Sequence, residues 1–134
     1  MSDKKAKVIC VDFDGVIYRF DYSKWEKDGY KNILYKRCII SGARVALKRL
    51  RTIGYRIVVY TSRVTSKYKS ILLTIHHPNY KVSVKEITKF LKENNICFDE
   101  VWEGNGKPVA DVYLDDKAVR FLSWPQAMVE IKEL

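Results

Sequence analysis

Short continuous apolar runs and longer runs with helical spacing alternate along this chain. Lys7 to Val11 reads as a buried strand, because four apolar residues (Val8, Ile9, Cys10, Val11) follow one another without a break. Ser41 can cap a helix from about Gly42 to Ile53, with Ala43, Ala46, Leu47, Leu50 and Ile53 on one face and Gly54 as its stop. Arg56 to Tyr60 is rich in β-branched residues and predicts a second strand. Val64, Tyr68, Ile71, Leu72 and Ile75 have helical spacing, and His77-Pro78-Asn79 ends that helix. Ser83 and Glu86 form a capping box for a helix carrying Ile87, Phe90 and Leu91, which ends near Asn94-Asn95. Phe98 to Trp102 and Asp111 to Leu114 predict two further strands, separated by the Gly104-Asn105-Gly106 loop. Pro125 starts a last helix with Met128 and Ile131 turned inward. Residues 18–40, where aromatics interleave with charges, read as irregular.

Strands alternating with helices imply an α/β fold, with a mainly parallel sheet covered on both faces. The expected architecture is a three-layer α/β/α, Rossmann-like single domain over residues 1–134, with residues 18–40 a short flap. In such sheets, ligands bind beyond the carboxyl ends of the strands. Three of the predicted strands end in polar groups: Asp12 to Asp14, Thr61 to Arg63, and Asp115-Asp116.

Composition narrows the class. At 134 residues, 47% hydrophobic and 31% charged, the chain has the make-up of an ordinary globular domain. No apolar run approaches the ~18 residues that span a bilayer, and the start shows no signal-peptide core, so a cytoplasmic protein without a membrane partner is expected. Three cysteines without metal-type spacing fit reduced thiols. The net charge of +9 favours anionic partners, although the cations are scattered, as on a solvated surface.

The chemistry concentrates at Asp12-Phe13-Asp14-Gly15. Carboxylates two apart at a strand end point to the same side and call for a counter-cation, and Mg2+ is the usual one for oxygen ligands. Asp12 is placed to be a nucleophile toward phosphorus, and Asp14, one step onto the loop, to protonate a leaving group and then deprotonate water. Gly15 lets the backbone turn close to a ligand. Asp115 or Asp116 would complete the metal's oxygen shell, with Asp115, which continues the strand, preferred. The Thr61 hydroxyl can bind a phosphoryl oxygen, and Ser62 opens a helix whose free N–H groups favour an anion. Arg63 either clamps a substrate phosphate or pairs with a carboxylate. Lys107 is placed to neutralise a phosphorylated intermediate. His76-His77 reads as a helix-end pair, since adjacent helical residues point apart.

Four stretches in order closely resemble the motifs of the haloacid dehalogenase superfamily of Mg2+-dependent phosphohydrolases. They are Asp12-Phe13-Asp14-Gly15-Val16, Val58-Val59-Tyr60-Thr61-Ser62-Arg63, Lys107-Pro108 and Tyr113-Leu114-Asp115-Asp116. The resemblance implies Asp12 as nucleophile, Asp14 as acid/base and, through its backbone carbonyl, a metal ligand. It also implies Thr61 and Lys107 on the phosphoryl group, and Asp115 on Mg2+. Cap domains in this family are inserted after the first or second motif, but the segments here, about 18–40 and 64–82, are too short to fold as one. An open site suits a large substrate or a second subunit, so a monomer or homodimer is expected. The stretch Gly106 to Phe121 is similar to small bacterial and phage members, and to the phosphatase half of polynucleotide kinase-phosphatases. That likeness implies a nucleotide or polynucleotide end as substrate. The alternatives are a phosphatase of small sugar phosphates or phosphoproteins, and a non-catalytic module that binds phosphate or nucleic acid.

Overall fold

The computed structural model describes residues 5–29, 33–61, 84–104 and 106–133. Ser62, Arg63, the helix expected from Val64 to Ile75, His76-His77 and Ser83 lie outside the described residues.

Among the described residues, four strands form one sheet: β1 (Val8–Asp12), β2 (Arg56–Tyr60), β3 (Glu100–Val101) and β4 (Val112–Leu114). Their order is β3-β2-β1-β4, and every pairing is parallel. This is an α/β fold with the parallel pairing that alternating strands and helices imply. Val11 lies opposite Val59 on one side and Leu114 on the other, so the carboxyl ends of β1, β2 and β4 lie level.

Alternation along the strands sorts the core. Ile9, Val11, Ile57, Val59 and Val101 share one face. There they pack with Leu47 of α2 (Ala43–Thr52) and with Ile87, Phe90 and Leu91 of α3 (Val84–Glu93). Cys10 and Val58 point to the other face and are buried as well.

The chain leaves β1 through a tight turn. Ile17 and Tyr18 both donate from the backbone to the Phe13 carbonyl, at 3.0 and 2.9 Å. Phe13 stacks on Tyr18 with ring centroids 5.2 Å apart, and Phe90 meets both rings edge-on. The loop that carries Asp14 is thereby fastened to the core.

Several expectations are corrected. Residues 18–40 are not simply irregular: they hold helix α1 (Tyr22–Lys27) and a 3-10 turn (Lys36–Cys38). Asp21 caps α1 by accepting from the Lys24 N–H. The segment is closed at its base, where the Arg19 N–H donates to the Cys38 carbonyl (2.7 Å) and the Ile40 N–H to Ile17 (2.8 Å). Ser41 does not cap α2: Gly42 holds the N-cap position with φ +90, a left-handed conformation that glycine adopts without steric cost. Ala46 of α2 and Ile53, the residue that follows the helix, are exposed rather than inward. The third strand is two residues long rather than five. In the last helix, α4 (Trp124–Lys132), Met128 and Ile131 are about half exposed and Ala127 is the buried residue. Ser123 caps it by accepting from the Gln126 N–H.

Candidate active site at the carboxyl edge of the sheet

Asp12 is the last residue of β1, while Asp115 and Asp116 directly follow β4, the strand paired with β1. Parallel pairing of two strands that end level brings these three carboxylates together. One oxygen from each lies within 4.8 Å of the other two. Mg2+ binds oxygens at 2.0–2.1 Å, so oxygens on opposite sides of it stand about 4 Å apart, and carboxylates spaced as these are would close in to share one ion. Both Asp115 and Asp116 belong to the group, so the choice between them made from the sequence is not one the geometry requires.

The electrostatics are those of crowded anions. Asp12 is pushed up from 3.8 to about 7, first by burial and then by the negative charges of Asp115, Asp14 and Asp116. A hydrogen bond from the Phe13 N–H opposes the rise. Cys10, two residues back on the same face, is raised to about 11, chiefly by burial, with Lys107 opposing and Asp12 and Asp115 adding. Its thiol is therefore neutral at ordinary pH.

Gly15 explains how Asp116 enters. Its φ is +87, and a Cβ built on it would overlap the Asp116 carboxylate. Only a residue without a side chain lets the turn after β1 come so close to the loop after β4. The Gly15 N–H also donates to the Tyr18 carbonyl at 2.8 Å.

Asp14 differs from Asp12. Its carboxylate is not one of the three grouped oxygens; Oδ2 accepts from the Thr61 hydroxyl at 3.5 Å. Thr61, the residue after β2, is 1% exposed, so its hydroxyl is held where Asp14 meets it. The two carboxylates of the Asp12-Phe13-Asp14 stretch thus have different surroundings: crowded anions for one, a hydroxyl for the other.

Lys107 lies over the ring of Tyr113, with Nζ 3.8 Å from the centroid. Tyr113 donates from its hydroxyl to the Pro108 carbonyl (2.5 Å) and accepts from the Ala110 N–H (3.1 Å), which ties the Lys107 loop to β4. The lysine is near enough to act electrostatically on Cys10, the β1 residue paired with Tyr113. Tyr113 and Cys10 are the site residues to which the sequence reading gave no role. Cys10 carries a usable signal, since two residues before Asp12 on a strand means the same face.

The geometry accordingly brings together Asp12, Asp14, Gly15, Thr61, Asp115 and Asp116, while Lys107 lies over Tyr113 and within electrostatic reach of Cys10. Compared with known protein families, curated proteins and solved structures, the chain matches none. No described helix is long and apolar enough to cross a membrane.

Proposed function

We propose that this protein is a Mg2+-dependent phosphohydrolase of the haloacid dehalogenase type, acting on a phosphate monoester of a nucleotide or polynucleotide end. The observation that carries the reading is the meeting of Asp12, Asp115 and Asp116 at the carboxyl ends of paired parallel strands, with Asp14 bonded to Thr61 alongside. A three-layer, Rossmann-like arrangement belongs to the same reading. The burial of Cys10 and Val58 on the face opposite α2 and α3 supports it.

Asp12, Asp115, Asp116 and the Asp14 carbonyl would hold the ion. Mg2+ would supply the positive charge that lets an anionic phosphate approach anionic carboxylates. A carboxylate oxygen of Asp12 attacks phosphorus in line with the ester oxygen. The phosphorus–ester oxygen bond breaks, and Asp14 gives that oxygen its proton. Asp14, now a carboxylate, takes a proton from water as the water attacks the aspartyl-phosphate, which releases inorganic phosphate and restores Asp12. Thr61 donates to a phosphoryl oxygen while remaining beside Asp14, and Lys107 balances the added negative charge.

The test is phosphate release from nucleotides, 3′- and 5′-phosphorylated oligonucleotides, sugar phosphates and phosphopeptides, each with and without Mg2+. Turnover that needs Mg2+ and vanishes in Asp12→Asn is expected. Undiminished turnover by that variant would overturn the mechanism. Turnover confined to sugar phosphates or phosphopeptides would overturn the substrate class. Anion binding with no turnover of any ester would make the protein a binding module.

A further inference from the structure

The apolar face of the sheet runs on past its cover. Val112 and Leu114 of β4 stand in register with Ile9 and Val11, so they belong to the face that α2 and α3 bury. Yet they are 40% and 43% exposed. Beside Leu114 lies a groove of about 360 Å³ against α2, walled by Val16, Ile40, Ala46 and Leu50. Among the described residues no charged side chain lines it. Such a groove offers a partner apolar burial and almost no hydrogen bonds.

The same chain exposes a helix face that matches. Trp124, Met128 and Ile131 of α4 recur at i, i+4 and i+7, the spacing by which an amphipathic helix fills an apolar groove. Phe121 extends this stripe, meeting Trp124 edge-on with ring centroids 5.3 Å apart. The four side chains are between 46% and 70% exposed. Among the described residues, none of α4 lines the groove of its own chain.

Charge and area point to a second copy. The chain carries +9, so most of its surface repels another copy. From Phe121 onward, Glu130 and Glu133 outnumber Lys132. α2 carries Arg44, Lys48, Arg49 and Arg51 and no acid. Arg49, one turn beyond Ala46, is exposed and has no ion pair among the described residues. Two α4 helices face to face would set acids together, whereas α4 against α2 sets them beside cations. The exposed parts of the stripe amount to roughly 450 Å² and those of the groove to roughly 300 Å². A pair in which each copy gives one helix and one groove then buries on the order of 1,500 Å² in total, the size of a standard stable interface.

We propose that this protein forms a twofold homodimer in which α4 of each copy, through Trp124, Met128 and Ile131, fills the groove between α2 and β4 of the other. The exchange closes at two copies, and each contact covers the sheet face left open at β4. It uses none of the carboxylates and stands whether or not they hydrolyse phosphate.

The experiment is sedimentation equilibrium of the full chain up to about 100 µM, a range in which an interface of this size holds. The wild type should sediment at twice the 15.7 kDa of one chain. Ala46→Lys in the groove, and Met128→Lys or Ile131→Lys on the helix, should each raise the dissociation constant at least about tenfold. All three positions are exposed in the single copy, so the circular dichroism of each variant should match the wild type. An equimolar mixture of Ala46→Lys and Met128→Lys should contain more two-chain species than either alone, because the intact helix of the first meets the intact groove of the second. A wild type that stays single would overturn the proposal, and so would a mixture no more paired than its components. Pairing that survives Ala46→Lys but not Met128→Lys would mean that the helix pairs with itself, and would overturn it as well. Species that grow beyond two chains with concentration would refute the twofold closure. A single-chain wild type captured by vesicles of anionic lipid would make the stripe a membrane contact instead.

Discussion

Asn in place of Asp12 keeps the shape of the side chain and removes its charge from the crowded edge of the sheet. Asp12 titrates at about 7 instead of 3.8, because burial and three neighbouring carboxylates oppose its ionisation. A rise of about three pH units corresponds to roughly 4 kcal/mol as an upper limit. Asp12 is only half-buried, and solvent screening reduces the cost to on the order of 1–2 kcal/mol. The sign follows from linkage. The folded protein holds its proton more tightly than the unfolded chain, so this stability is full below about 4 and is lost as pH rises through about 7. At pH 8 in EDTA, the wild type therefore carries the whole cost and Asp12→Asn carries none. The variant should be the more stable protein there, by about 1–2 kcal/mol in urea denaturation, with the difference closing toward pH 4. Saturating Mg2+ should reverse the order, since ligand at a hundred times its Kd adds about 2.7 kcal/mol to a protein that binds it. If Asp12→Asn is less stable than wild type at pH 8 in EDTA, or if Mg2+ stabilises both equally, the account of the carboxylate cluster is wrong.

Other substitutions probe other parts of the structure. Gly15→Ala combines a φ of +87 with an overlap on Asp116. It should cost about 1 kcal/mol of stability and weaken Mg2+ binding by at least about tenfold in calorimetry. Thr61→Val removes a buried hydroxyl that donates to Asp14. It should lower kcat by at least about tenfold while shifting the unfolding free energy by only about 1 kcal/mol. Asp99→Ala strands the Ile57 N–H at the start of β2 and breaks the Arg51 pair. It should destabilise by about 1–3 kcal/mol in denaturant melts, without changing turnover.

The candidate site was readable because its residues stand where apolar strand runs stop. β1 and β2 announce themselves by unbroken β-branched and apolar residues, and their last positions place Asp12 and Thr61 within one residue of the observed ends. The meeting of Asp12 with Asp115 and Asp116 needs the added fact that β4 pairs directly beside β1, which spacing along the chain does not contain. Burial in α3 was readable because a strong apolar stripe meets the sheet squarely at Ile87, Phe90 and Leu91. In α4, Met128 and Ile131 are spaced alike, but helical spacing says only that they share a side, and that side is about half exposed. α1 escaped notice because six residues of mixed aromatics and charges carry no periodicity. Its support is the local Asp21 cap and the longer-range backbone bonds that close the segment at Arg19 and Ile40. Gly42 replaced Ser41 at the start of α2 because the chain turns there through a left-handed residue.

The covalent step on Asp12 is open to direct trapping. The protein would be mixed with Mg2+ and para-nitrophenyl phosphate, quenched in acid, reduced with borohydride and mapped by peptide mass spectrometry. Reduction of an aspartyl-phosphate leaves homoserine. Homoserine should appear at position 12 in the wild type and more abundantly in Asp14→Asn, where water is no longer activated, and it should be absent from Asp12→Asn. Release of nitrophenol with no homoserine at position 12, or with the mark on another carboxylate, would contradict Asp12 as the nucleophile.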